Sequence, residues 1–143
     1  MDIMSYEAST IEAKRFTQQG EHITNIRIDH NSTVMRVSKV SEQTASAEFR
    51  FTANYSGMGY IRIEGSILLK GDTDTLVDTW DSSGSMPDQI ANMVHNAIVS
   101  NCIPTALLIA RDIRLPPPFP MPRINVQKKR NESKRTQPGP EFA

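Results

Sequence analysis

The chain has too few cysteines to be stapled. Its 143 residues include one, Cys102, so no internal disulfide can form and no cysteine-rich zinc site can be assembled. Aromatic residues are scarce at 6%. No run reaches the ~18 consecutive apolar residues of a membrane span, which predicts no span. The N-terminal stretch MDIMSYEASTIEAKRF lacks the apolar core of an export signal. These absences predict a cytoplasmic protein. An excess of one charge is also missing, since 16 Lys and Arg balance 16 Asp and Glu. With 38% hydrophobic and 22% charged residues, the composition excludes collagen-like, coiled-coil and wholly disordered chains. The length is that of one domain.

The balance of charge hides an asymmetry. Residues 1–122 carry 10 Lys and Arg against 14 Asp and Glu, net −4, while residues 123–143 carry 6 against 2, net +4. An acidic body argues against a nucleic-acid-binding face. The tail QKKRNESKRTQPGPEFA is polar, basic and Pro/Gly-bearing, and reads as disordered. The expected division is one domain over 1–126 and a basic tail over 127–143.

Residues 1–10 read as a loose lead-in. Strand-like material follows from Ile11 to Asp29 and again over 33–40, where both parities hold apolar residues. The clearest pattern comes next. Ala45, Ala47, Phe49, Phe51, Ala53 and Tyr55 alternate with polar residues, the signature of a strand with one buried face. Gly57 and Gly59 supply a turn. Ile61, Ile63, Ile67 and Leu69 then continue the alternation, with Gly65 on the apolar face at a bulge or under a close helix. Lys70-Gly71-Asp72-Thr73-Asp74 reads as a turn, residues 75–80 as a short strand or connection, and residues 82–85 as a loop.

Ser85 is a plausible helix cap before Pro87 and Asp88. Ile90, Met93, Val94, Ala97, Ile98 and Cys102 follow at helical spacing. Pro104 breaks or kinks the helix, and Ala106, Ile109, Ala110 and Ile113 mark a second helical run. LPPPFPMP, from Leu115 to Pro122, is extended polyproline II. The expected fold is α+β: an antiparallel sheet of about four strands, a C-terminal kinked helix or helical hairpin on one face, then a Pro-rich strap.

No catalytic set converges. His95 and Cys102 sit two helical turns apart, roughly 10 Å, too far for a nucleophile and its base. Asp72, Asp74, Asp78 and Asp81 lack the Gly and Glu of an EF-hand loop, with Val77 and Ser83 at those positions, and read as solvated. Gly57-Met58-Gly59 joins two strands, not a strand to a helix, so it is a hairpin turn. The cluster Lys128, Lys129, Arg130, Lys134, Arg135 has no interleaved aromatic residue and reads as a solubilising tail. Pro117-x-x-Pro120 could bind an aromatic groove; a rigid strap with Phe119 and Met121 docked is favoured. No metal site and no cofactor are expected, and the chain reads as a binding or structural protein rather than an enzyme.

Strands, a crossing connection, a long helix and an extended Pro-rich segment together resemble the SecB-type preprotein export chaperones and their archaeal SecB-like relatives. The matching stretch runs from about Ile11 to Val126. It includes residues 49–55 and 60–69 with Ile63-Glu64-Gly65, the helix ending Ala110-Arg111-Asp112, and the segment from Phe119 to Val126. The resemblance implies an ATP-independent holdase that takes unfolded or preprotein chains into apolar grooves. It also implies a homo-oligomer, dimer or tetramer, built partly through edge strands and helices. The peptide-binding residues expected on this reading are Tyr55, Tyr60, Trp80, Met86, Phe119 and Met121, and Met residues would supply adaptable contacts. The chain departs from the bacterial family in being neutral and in lacking a C-terminal zinc-binding cysteine cluster. An archaeal-type or toxin-antitoxin-associated relative therefore fits better. The alternative is a non-catalytic interaction subunit that contacts its partner through the strap or the basic tail.

Overall fold

A computed structural model of the chain describes residues 1–18 and 26–120. Four strands, β1 (Asp2–Arg15), β2 (Ile28–Ser41), β3 (Thr44–Tyr55) and β4 (Gly59–Lys70), precede two helices, α1 (Thr73–Ser83) and α2 (Asp88–Asp112). All strand pairs are antiparallel, in the order β1-β4-β3-β2. The expected α+β arrangement is present. The hairpin of residues 45–55 and 59–70 forms its centre, with Ala53 opposite Ile61, Phe51 opposite Ile63 and Ala47 opposite Ile67. These side chains lie on the helix-covered face and are buried.

The edge strands explain why their pattern is weaker. Residues 1–10 are not a lead-in but most of β1. Register shifts fall between Ile3 and Ser5 and between Ala8 and Thr10. Each extra residue flips the parity, so Ile3, Tyr6, Ala8, Ile11 and Ala13 all stand opposite the helix-side residues of β4. β2 shifts between Val34 and Arg36 and between Lys39 and Ser41. This accounts for apolar residues at both parities of 33–40.

Gly65 is required by backbone rather than by a helix. A Cβ there would lie 2.0 Å from the Glu7 carbonyl oxygen and 2.8 Å from Ala8 Cα. Over the missing side chain, the rings of Tyr6 and Phe49 stack with centroids 5.5 Å apart, an aromatic pair spanning the strand between them.

Residues 75–80 are helical, not a strand or connection. The Asp72 carboxylate accepts from Thr75 N at 3.2 Å and from Thr75 Oγ1 at 2.7 Å, which caps α1; these bonds also lower the Asp72 pKa. β-branched Thr73, Thr75 and Val77 hide this helix from propensity. Residues 82 and 83 complete α1, and Gly84 ends it at φ 72°, in the left-handed region that suits glycine. Ser85 does not cap α2. Its hydroxyl meets that of Ser83, and Pro87 occupies the N-cap position.

Pro104 does not divide the C-terminal segment, so the helical-hairpin alternative is not realised. One 25-residue helix runs from Asp88 to Asp112. Its burial repeats every four residues. Val94, Ile98, Cys102, Ala106 and Ala110 are buried on the sheet. The opposite row, Asn92, Asn96, Ser100, Pro104 and Leu108, is exposed, and this row carries the proline. A four-residue repeat drifts around the helix by about 40° per step, so α2 crosses the twisted sheet diagonally. Its His95 reaches Ser32 of β2, and its Cys102 reaches Tyr6 of β1.

Residues 89–110 hold no Asp, Glu, Lys or Arg. By length and composition alone α2 is long and apolar enough to cross a membrane, although no run of consecutive apolar residues is. Asn, Ser, Thr and His interrupt the run without adding charge, and the buried row lies on the protein's own sheet.

After α2 the chain turns back as the expected strap. Leu115 and Pro118 are buried. Tyr55 donates to the Pro116 carbonyl at 2.6 Å, and His30 Nε2 donates to the Pro118 carbonyl. Residues 121 and 122 of the strap, the segment 123–126 and the basic tail lie outside the described residues.

Candidate functional site

The expected peptide-binding residues do not share one groove. Tyr55 is fully buried beneath the helix-covered face. Its burial pushes the phenol up to about 12. Tyr60 stands on the opposite, open face of β4. It donates to Glu12 Oε2 at 2.8 Å and lies under the Arg62 guanidinium at 5.2 Å. The Glu12 bond is the main cause of its raised pKa. Trp80 sits half-buried on α1 against the core, Met86 is buried in the connection to α2, and Phe119 is half-buried on the strap. Met121 lies outside the described residues. Strand alternation separates Tyr55 from Tyr60: they are five residues apart across a turn, yet the turn places them on opposite faces.

What the fold does bring together is apolar surface beside α2 and the strap. One flank of α2 carries Val99, Ile103 and Leu107, the other Met93, Ala97 and Ile109, all half-buried. Leu108 between them is 56% exposed. At one end of the sheet, Ile26, Ile28 and His30 face Pro117, Pro118 and Phe119 across an open hollow of about 320 Å³. The His30 ring stacks on Phe51, centroids 6.4 Å apart, and forms one wall. The sequence places Ile26 and Ile28 in strand-like material and gives His30 no metal-ligand spacing with His95, so none of the three stands out. Only the return of the strap makes them a hollow.

The other sheet face is polar. Arg50 pairs with Glu64 at 2.6 Å, Arg36 with Glu48 at 2.9 Å and Arg62 with Glu12 at 3.1 Å. These cross-strand pairs lie in the sheet register and keep the face wet.

Two contacts of nucleophilic groups emerge that sequence spacing could not show. Ser32 Oγ lies 2.8 Å from His95 Nδ1. Among the described residues no carboxylate hydrogen-bonds His95, so the pair lacks the orienting acid of a triad. It ties the edge strand to α2. Cys102 Sγ lies 3.4 Å from the Tyr6 hydroxyl. Desolvation raises both the thiol and the phenol, which suits a packed thiol rather than a thiolate nucleophile.

No family model matches the chain, and no curated protein matches it.

Proposed function

We propose that the protein is an ATP-independent holdase for unfolded polypeptide segments. One observation carries the reading. α2 has 22 consecutive residues without a formal charge, and the sheet buries only one of the four rows into which its burial divides. A surface helix of a lone domain normally turns charged residues outward. Here the outward row is Asn92, Asn96, Ser100, Pro104 and Leu108, between two apolar flanks. Such a surface suits non-specific apolar contact, with Met93 as an adaptable side chain. The strap hollow adds a second apolar station for a client side chain.

The same reading includes self-association as a dimer or tetramer. Both edge strands are interrupted by two register shifts each, which blunts edge-to-edge pairing. Copies therefore meet through the outer row of α2, and clients occupy its flanks and the strap hollow. The test is light scattering of a chemically unfolded, aggregating client. A few-fold excess of protein should suppress scattering without ATP. Ile103→Asp, on a client-binding flank, should abolish suppression while leaving the far-UV circular dichroism unchanged. Undiminished aggregation at that excess refutes the reading.

A further inference from the structure

The uncharged stretch 89–110 contains two titratable side chains, His95 and Cys102. Cys102 is buried, with its thiol pKa raised by desolvation, so His95 is the residue there that can gain a charge near neutral pH. It begins the row His95, Val99, Ile103 and Leu107, spaced by four and half-buried along the flank of α2 that faces β2. A second imidazole stands beside this row. His30 and Ser32 share the helix-side face of β2, opposite Ala53 and Phe51, about 7 Å apart along the strand. Ser32 Oγ lies 2.8 Å from His95 Nδ1, and His30 walls the strap hollow. The apolar flank of α2 and the strap hollow therefore come together at two histidines.

The surroundings do not neutralise a charge on either ring. Among the described residues the bonds of the two imidazoles go to the Pro118 carbonyl and the Ser32 hydroxyl, not to a carboxylate. The strap faces His30 with prolines and Phe119, and β3 faces it with Phe51 and the Tyr55 phenol, whose raised pKa keeps it neutral. Tyr6 of β1, raised likewise, lies against Cys102, and the helix-side residues of β4 are apolar. Arg27 pairs with Asp29, which lines the open face. The pairs Arg36–Glu48, Arg50–Glu64 and Arg62–Glu12 lie on that face too. On the helix side of β2, Lys39 is roughly 20 Å along the strand from Ser32, with Asp74, Asp78 and Glu42 around it. On α2 itself, Asp88 stands two turns before His95 and Arg111 more than four turns after it.

An apolar segment laid over a charged imidazole strips its hydration without replacing it, which disfavours the charged form. The covered protein therefore holds fewer protons than the free one, and affinity for the segment falls as pH falls. Acid does not open the strap by this route, because a protonated His30 still donates to the Pro118 carbonyl and does so more strongly. We propose that His30 and His95 form an acid-triggered release device: charging the two rings expels an apolar client from the α2 flank and the strap hollow while the fold persists. The inference rests on the holdase reading and adds the condition under which the client leaves.

The test uses the full chain and fluorescence anisotropy of a labelled, end-blocked decapeptide of Leu, Phe and Ser, which has no titratable group of its own. Affinity is measured at pH 8 and pH 5.5. A tenfold preference of the covered site for neutral imidazole weakens binding at pH 5.5 by about fivefold per ring, and by about 25-fold for the pair. His30→Gln and His95→Gln should each retain about a fivefold loss, since glutamine keeps a donor for Pro118 and a polar contact for Ser32 but cannot charge. The double variant should bind equally at both pH values. His22→Gln, outside the described residues, should behave as the unaltered chain. Far-UV circular dichroism should be the same at pH 8 and pH 5.5. A peptide that the unaltered chain does not bind at pH 8 overturns the holdase reading and this inference with it. Binding at pH 8 that is undiminished at pH 5.5, a loss that survives in the double variant or disappears in His22→Gln, or a loss of helical signal at pH 5.5 overturns this inference alone.

Discussion

The packing of β1 on β4 can be tested by one methyl group. Gly65→Ala would put a Cβ 2.0 Å from the Glu7 carbonyl oxygen, where about 3.2 Å is the closest comfortable approach of carbon and oxygen. The obstruction is backbone, so no rotamer relieves it, and β1 must move off β4 by about 1 Å. That movement weakens about two ladder hydrogen bonds, worth about 1 kcal/mol each. It also disturbs the Tyr6–Phe49 stack, worth about 1 kcal/mol. Restricting the unfolded chain returns about 0.7 kcal/mol. The net loss is about 2 kcal/mol, a fall in thermal midpoint of roughly 6 °C for a chain of this length. Urea unfolding followed by circular dichroism measures the loss. Amide exchange locates it: protection should fall in β1 and persist in β2, which lies two strands away. A loss under about 0.5 kcal/mol, or equal loss of protection in β2, would refute the account of Gly65.

Other consequences are checked by similar measurements. Pro104→Ala restores an amide donor for the Ser100 carbonyl at an exposed position and should stabilise by about 1 kcal/mol after the cost of a looser unfolded chain; chemical denaturation decides. Ile98→Ala empties a fully buried position under α2 and should cost about 3 kcal/mol. Tyr55 links stability to alkaline pH. Its phenol is raised to about 12, against an ordinary value near 10. The protonated form is favoured in the fold, so this stabilisation is complete below about pH 10 and is lost as pH rises from about 10 to 12, to a total of about 3 kcal/mol. Tyr55→Phe should reduce the alkaline slope by the share of this phenol, Tyr6 and Tyr60 keeping theirs, and cost about 1 kcal/mol at neutral pH through the lost bond to Pro116, read from denaturation curves at pH 7 to 11.

The central hairpin and the presence of a long apolar helix were legible in the sequence because each carries its own period. Phe49, Phe51, Ile61 and Ile63 alternate, and Val94, Ile98 and Cys102 recur by turns, so burial on one face follows from local geometry alone. The sequence also determined that charge is absent from residues 89–110, and with it the unusual outer surface of α2. Other features depended on neighbours distant in the chain. The bulges that align Tyr6 and Ile11 exist only relative to β4. α1 stays helical despite its β-branched residues because Asp72 caps it and Leu76 is buried in the core. Pro104 is accommodated because the diagonal path of α2 turns that row to solvent. Tyr55 and Tyr60 read alike as aromatics beside a turn, and the register assigned one to the core and the other to the wet face. The strap hollow joins residues about 90 positions apart, and the end of β1 meets the end of α2 about 100 positions on. No local pattern encodes such pairings, because they arise where α2 ends against the sheet and the chain turns back.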